Sequence, residues 1–166
     1  MSEADHDPFN ERELAHPRAR ELLVEDFFWD CADEEAPFGS DEGHDAYFEY
    51  RNWRKENPKA PLVDCLAWIL EDQLDEYTLE LCSDEQVRTD LAEPDEAFMA
   101  DSWDMFTLDA TIIATAFGQL LDEGRIDSAA KPFVNVALTR QLHPDVVTSD
   151  HRAAILTAAS RVLKVA

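Results

Sequence analysis

Residues 108–121, LDATIIATAFGQLL, carry one charged side chain, Asp109, and are otherwise apolar or small nearly all the way round a helical projection. A helix that is apolar on every side must be covered on every side, so this stretch predicts a central buried helix inside a bundle. Thr107 stands where its N-cap is expected, and Asp109 falls in its first turn. Gly124 is placed to end it in the left-handed conformation.

Working outward, the periodicity stays helical. Pro17 is placed to open a helix reaching about Cys31, with Leu22, Leu23, Asp26 and Phe27 at helical spacing. The segment APFGSDEG, residues 36–43, reads as a loop, and Ser40 or Asp41 as the cap of a helix from about His44 to Asn57. Pro61 opens a helix predicted from Leu62 to about Cys82. Its Leu62, Leu66, Ile69, Leu70, Gln73, Tyr77 and Leu81 fall within about a third of the circumference. A shorter helix is predicted over Asp84 to Ala92, and another from Pro94 to Met99 or beyond. After the central helix, Asp127 or Ser128 begins one through Leu142, with Pro132 near its start. Ser149 or Asp150 caps the last, which carries Ile155, Ala159, Val162 and Leu163 on one face. Period-two alternation and Asn-Gly or Asp-Gly hairpin signals are missing. The expectation is an all-α bundle of six to eight helices in a single domain, residues 1–166.

Composition sets the class of partner. The 166 residues hold 37 acids against 14 Lys and Arg, for a net charge of −23. The charge is uneven: residues 1–109 sum to −24 and residues 110–166 to +1. Fourteen of the 16 aromatic residues also precede residue 110, among them Trp29, Trp53, Trp68 and Trp103. So strong a negative charge argues against direct contact with nucleic acid or an anionic membrane. Neither a signal-like start (MSEADHDPF) nor an apolar run of spanning length is found. Three scattered cysteines imply a reducing compartment, hence a cytoplasmic protein.

The familiar catalytic and metal motifs fail on their spacing. Glu13-x-x-His16 and Asp41-x-x-His44 have the spacing of paired di-metal ligands, but Pro17 and Gly43 put both pairs at helix starts or in loops. His6, His143 and His151 fall in the tail or near helix ends. Cys31, Cys65 and Cys82 have no neighbouring His and read as structural thiols. With no G-x-S-x-G and four glycines in all, neither a nucleophile elbow nor a phosphate loop is present. No catalytic residue, metal or cofactor is expected.

A surface remains. Projected at about 100° per residue, the 62–82 helix sets Asp64, Glu71 and Asp75 opposite its apolar stripe, with Asp72 at the flank and Trp68 among them. Either a neighbouring helix packs over Trp68, or Trp68 is an interface anchor ringed by charge that steers a basic partner. The stripe Tyr47, Tyr50, Trp53 and Arg54 reads as core packing. Arg51, Arg54, Lys55 and Lys59 read as partners of nearby carboxylates, or else as an anion site.

Asp64, Trp68, Glu71, Asp72 and Asp75 are therefore the candidate partner-binding residues of a non-catalytic protein-binding module for a basic macromolecule. The composition resembles that of small acidic helical proteins that act as inhibitors or immunity proteins. Three alternatives account for the same acidity. One is mimicry of DNA, since about 40 Å of duplex carries about 24 phosphates. Another is a small all-α enzyme whose site is scattered through the sequence. The third is adaptation to high salt, against which the neutral C-terminal part stands.

Overall fold

The computed structural model describes Pro8 and residues 12–166; His6 lies outside the described residues. Among these residues there are seven α-helices and no strand, an all-α bundle. The helices are α1 (Pro17–Leu22), α2 (Asp41–Glu56), α3 (Leu62–Ile69), α4 (Asp84–Ala92), α5 (Met105–Glu123), α6 (Lys131–Leu142) and α7 (Asp150–Val165). Short 3-10 turns join several of them. None of the helices described is long and apolar enough to cross a membrane.

The apolar stretch is the centre of the bundle. Every residue of α5 from Thr111 to Leu121 is buried, and α1, α2, α3 and α6 pack on it, with α7 against α6. The helix begins one turn earlier than its hydrophobicity suggests. Asp104, not Thr107, is the N-cap: its carboxylate accepts from the Thr107 N–H at 2.8 Å and from the Thr107 hydroxyl at 2.7 Å. Gly124 ends the helix at φ 78°, as its position predicted. At Gly118 the absence of a side chain lets α2 close in, since a Cβ there would lie 2.8 Å from the Tyr47 ring. One apolar core gathers Phe28, Tyr47 and Leu66 from the acidic part with Ala137, Leu138 and Val162 from the neutral part.

Moving the start of α5 to Met105 takes Asp109 out of the first turn and into the core. The carboxylate is 0% exposed and accepts four hydrogen bonds. They come from the Tyr77 hydroxyl at 2.6 Å, from Arg140 Nε and NH2 at 2.8 and 2.7 Å, and from the Gln141 amide at 2.7 Å. Arg140 is itself 1% exposed and lies over the Tyr77 ring. Burial alone would lower the guanidinium pKa, but the adjacent Asp109 carboxylate outweighs it and raises the value. Gln141 passes the network to Arg152, which also donates to the Glu35 carbonyl. One buried network thus ties α5, α6, α7 and the 77 loop together.

Three predicted helices are shorter than expected. The 17–31 helix stops at Leu22, and Asp26–Trp29 forms a separate 3-10 turn. Consecutive residues of a helix point about 100° apart. The break at Leu23–Glu25 lets Phe28 and Trp29 both enter the core, and the Trp29 indole N–H donates to the Leu23 carbonyl at 2.8 Å. The 62–82 helix ends at Ile69, and the chain continues through 3-10 turns at Leu74–Glu76 and Leu79–Cys82. The Pro94 helix is a single 3-10 turn, Pro94–Glu96, and the chain then reverses at Met99 with φ 57°. By contrast α4 runs from Asp84 to Ala92 as predicted, with Ser83 capping it. Ser149 caps α7 and Ser40 caps α2.

Candidate functional site

The site begins with the way α2 divides its charges. Tyr47 and Tyr50 face α5 and are buried. The Tyr47 hydroxyl donates to Asp122 at 2.7 Å and the Tyr50 hydroxyl donates to Glu123, at the last turn of α5. Arg51 and Arg54 complete the two units. Arg51 binds Asp122 at 2.9 and 3.1 Å with its guanidinium over the Tyr47 ring. Arg54 binds Glu123 at 3.0 Å and lies over Trp53. Burial, reinforced by the neighbouring carboxylates, raises both phenol pKa values, so each tyrosine remains a neutral donor. The arginines also answer the unfavourable placement of two acids at a helix C-terminus. Pairing with carboxylates is what the sequence suggested for them, and the tyrosine stripe packs inward.

With α2's arginines engaged there, its other face is left acidic. Glu42, Asp45 and Glu49 recur at three- and four-residue steps and line one side of a groove of about 530 Å³. Trp68, Ile69 and Glu71 line another part, and Ser102 and Trp103 a third. Thr111 and Thr115 from α5 form part of the floor beside Cys65. Among the described residues that line it, four are carboxylates and none is Lys, Arg or His. Burial pushes the Cys65 thiol pKa up to about 12, which keeps it protonated.

The end of α3 shapes the lip. The Asp72 N–H bonds the Ala67 carbonyl at 2.8 Å and the Glu71 N–H bonds the Trp68 carbonyl at 3.3 Å, the two bonds of a Schellman motif. Its left-handed position is occupied by Glu71, at φ 51°, and Asp72 follows at φ 64°. A glycine would mark such a stop in sequence; glutamate does not. On α3, Trp68 points outward, 58% exposed, with Asp64, Glu71 and Asp72 exposed beside it. Among the described residues no helix covers Trp68. Glu71 then reaches across and accepts from the Ser102 hydroxyl at 2.7 Å, tying the α3 lip to the Met99–Trp103 turn.

Of the five residues singled out from sequence, Asp64, Trp68, Glu71 and Asp72 line one shallow depression, which joins the deeper groove through Trp68 and Glu71. Asp75 does not join them. Beyond the end of α3 it lines a separate hollow with Glu76, Thr78, Leu79 and Glu80. The acids of α2, Trp103 and the two threonines were not singled out. The spacing Glu42, Asp45, Glu49 was a readable signal, as was Thr111 and Thr115 on one face of an apolar helix.

The carboxylate–histidine spacings have structural roles. His16 caps α1 by accepting from the Arg18 N–H at 3.1 Å, and the His44 ring packs on Phe48. Among the described residues no group of three or more His, Cys, Asp and Glu side chains is arranged to hold a metal ion.

The chain is similar to the uncharacterized protein YfeS of Escherichia coli (strain K12), 30% identical over 130 residues. The matched region covers 76% of this chain and 50% of that protein, so the chain spans about half the length of the curated relative it matches. No protein-family model matches the sequence, and no solved structure matches it.

Proposed function

We propose that this chain is a non-catalytic binding module, inhibitor- or immunity-like, for a basic protein partner in the cytoplasm. The observation that carries the reading is Trp68, 58% exposed among Asp64, Glu71 and Asp72 at the lip of a groove whose lining holds four carboxylates and no cation. A large aromatic ringed by charge is the arrangement of an interface hot spot: the ring supplies the desolvated contact and the acids steer and orient the partner. The three free cysteines, Cys31, Cys65 and Cys82, suit a reducing compartment.

The test is to recover basic proteins that bind the chain at low salt, identify them, and titrate each purified candidate. Trp68→Ala is expected to weaken binding by about 2 kcal/mol, roughly 30-fold, and affinity is expected to fall steeply as salt rises. Failure to recover a basic protein, or a Trp68→Ala variant that binds as tightly as the parent, overturns the proposal.

A further inference from the structure

Thr111 and Thr115 give the groove a floor of a particular kind. They lie one turn apart on α5, 8% and 1% exposed, and both line the groove. A threonine inside a helix commonly returns its hydroxyl to the carbonyl four residues back. Neither hydroxyl does so, and neither bonds any other described residue. Nor is either among the polar atoms sealed in the core without a partner, which are Asp90 Oδ2 and Gln119 Nε2. Two hydroxyls therefore border the groove floor with their hydrogen-bonding capacity unspent.

We propose that the groove receives an arginine side chain of the partner, an inference that rests on the basic-partner reading above. Each part of an arginine has a counterpart. The apolar stem meets the aromatic walls, which include Trp103, and a guanidinium stacks on such rings more favourably than an ammonium ion does. Its planar fork of donors needs several acceptors at once, which Thr111, Thr115 and the carboxylates of Asp45 and Glu49 supply. Its charge enters a region whose lining carries four negative charges and no positive one. A volume of about 530 Å³ exceeds one side chain, leaving room for the residues flanking the arginine.

The experiment titrates the full chain with acetyl-arginine methylamide, acetyl-lysine methylamide and spermidine, read by amide and indole chemical shifts. The arginine compound is expected to shift the Trp103 indole and the Thr111 and Thr115 amides saturably. It should bind about threefold or more tighter than the lysine compound. The double variant Thr111→Val with Thr115→Val, which keeps the shape, is expected to weaken it about fivefold or more, the loss of about one net hydrogen bond. Glu49→Gln, on the exposed face of α2, gives the same direction of change without touching the core.

Shifts confined to Asp64 and Asp72, or a double variant that binds as well as the parent, overturn the arginine site while leaving the basic-partner reading intact. Equal or tighter binding of spermidine or the lysine compound overturns the preference for a guanidinium. Failure of the basic-partner reading is seen separately, in partner binding that ignores Trp68→Ala.

Discussion

Asp109→Asn should be among the most damaging conservative substitutions in this chain. The change keeps the shape of the side chain but replaces an acceptor oxygen with an amide donor, facing a site where all four incoming groups donate. At least one bond becomes a donor–donor clash, and Arg140, 1% exposed, is left as a buried cation without its counter-charge. Breaking one side of a buried ion pair costs about 3–5 kcal/mol, a large part of the roughly 5–15 kcal/mol that holds a domain folded. Arg140→Met alone should cost a similar amount, because it strands the carboxylate. The double variant Asp109→Asn with Arg140→Met removes both charges while leaving an amide that can still accept from Tyr77. It should therefore be more stable than the sum of the single losses implies, by about 2 kcal/mol or more. Equilibrium urea unfolding followed by tryptophan fluorescence and far-ultraviolet circular dichroism measures all three, provided the two probes coincide. A loss below about 1 kcal/mol for Asp109→Asn, or strict additivity in the double variant, refutes the role assigned to this pair.

Other substitutions probe the groove and its supports. Glu71→Gly relieves a left-handed glutamate but removes the bond from the Ser102 hydroxyl, so the two effects should offset to within about 1 kcal/mol in urea unfolding, while partner binding weakens through loss of a groove carboxylate. Gly118→Ala sets a methyl 2.8 Å from the Tyr47 ring and should cost about 1–3 kcal/mol by the same measurement, as α2 is pushed off α5. Asp127 governs part of the acid limb. Burial favours its protonated form, but hydrogen bonds from the Leu62 N–H and the Arg125 side chain prevail, and its pKa is lowered. Its contribution is therefore present above the usual aspartate pKa and lost as pH falls through the folded value. Asp127→Asn should flatten the fall in melting temperature over that acid range.

Much of the fold is legible in the sequence because the strongest signals are local. A helix apolar on all sides must be central, Gly124 must end it, Pro17 carries its helix-opening role in its chemistry, and Ser40 and Ser149 carry their capping role in theirs. The misread segments are those where tertiary structure overrides a continuous pattern. The stripe from Leu62 to Leu81 keeps helical spacing past residue 70, yet the chain stops at a Schellman turn built on Glu71, where no glycine gives warning. Asp109 was readable as one charge in an apolar run, but its partners Tyr77 and Arg140 lie 32 and 31 residues away and come together only in the folded bundle. At the site, Asp64, Trp68, Glu71 and Asp72 stay together because α3 holds through Ile69 and the turn keeps the next two residues beside it. Asp75 separates because its assigned position depended on helix that is not there.

The proposed binding surface is the groove framed by α2, α3 and the Met99–Trp103 turn and floored by the first turns of α5, with α6 and α7 as its support. Hydrogen–deuterium exchange of the chain alone and bound to its identified basic partner tests it most directly. Added protection is expected on residues 62–72 and 99–115 and on the α2 turns holding Glu42, Asp45 and Glu49. Protection centred on α6 and α7, with residues 62–72 exchanging as in the free chain, contradicts it.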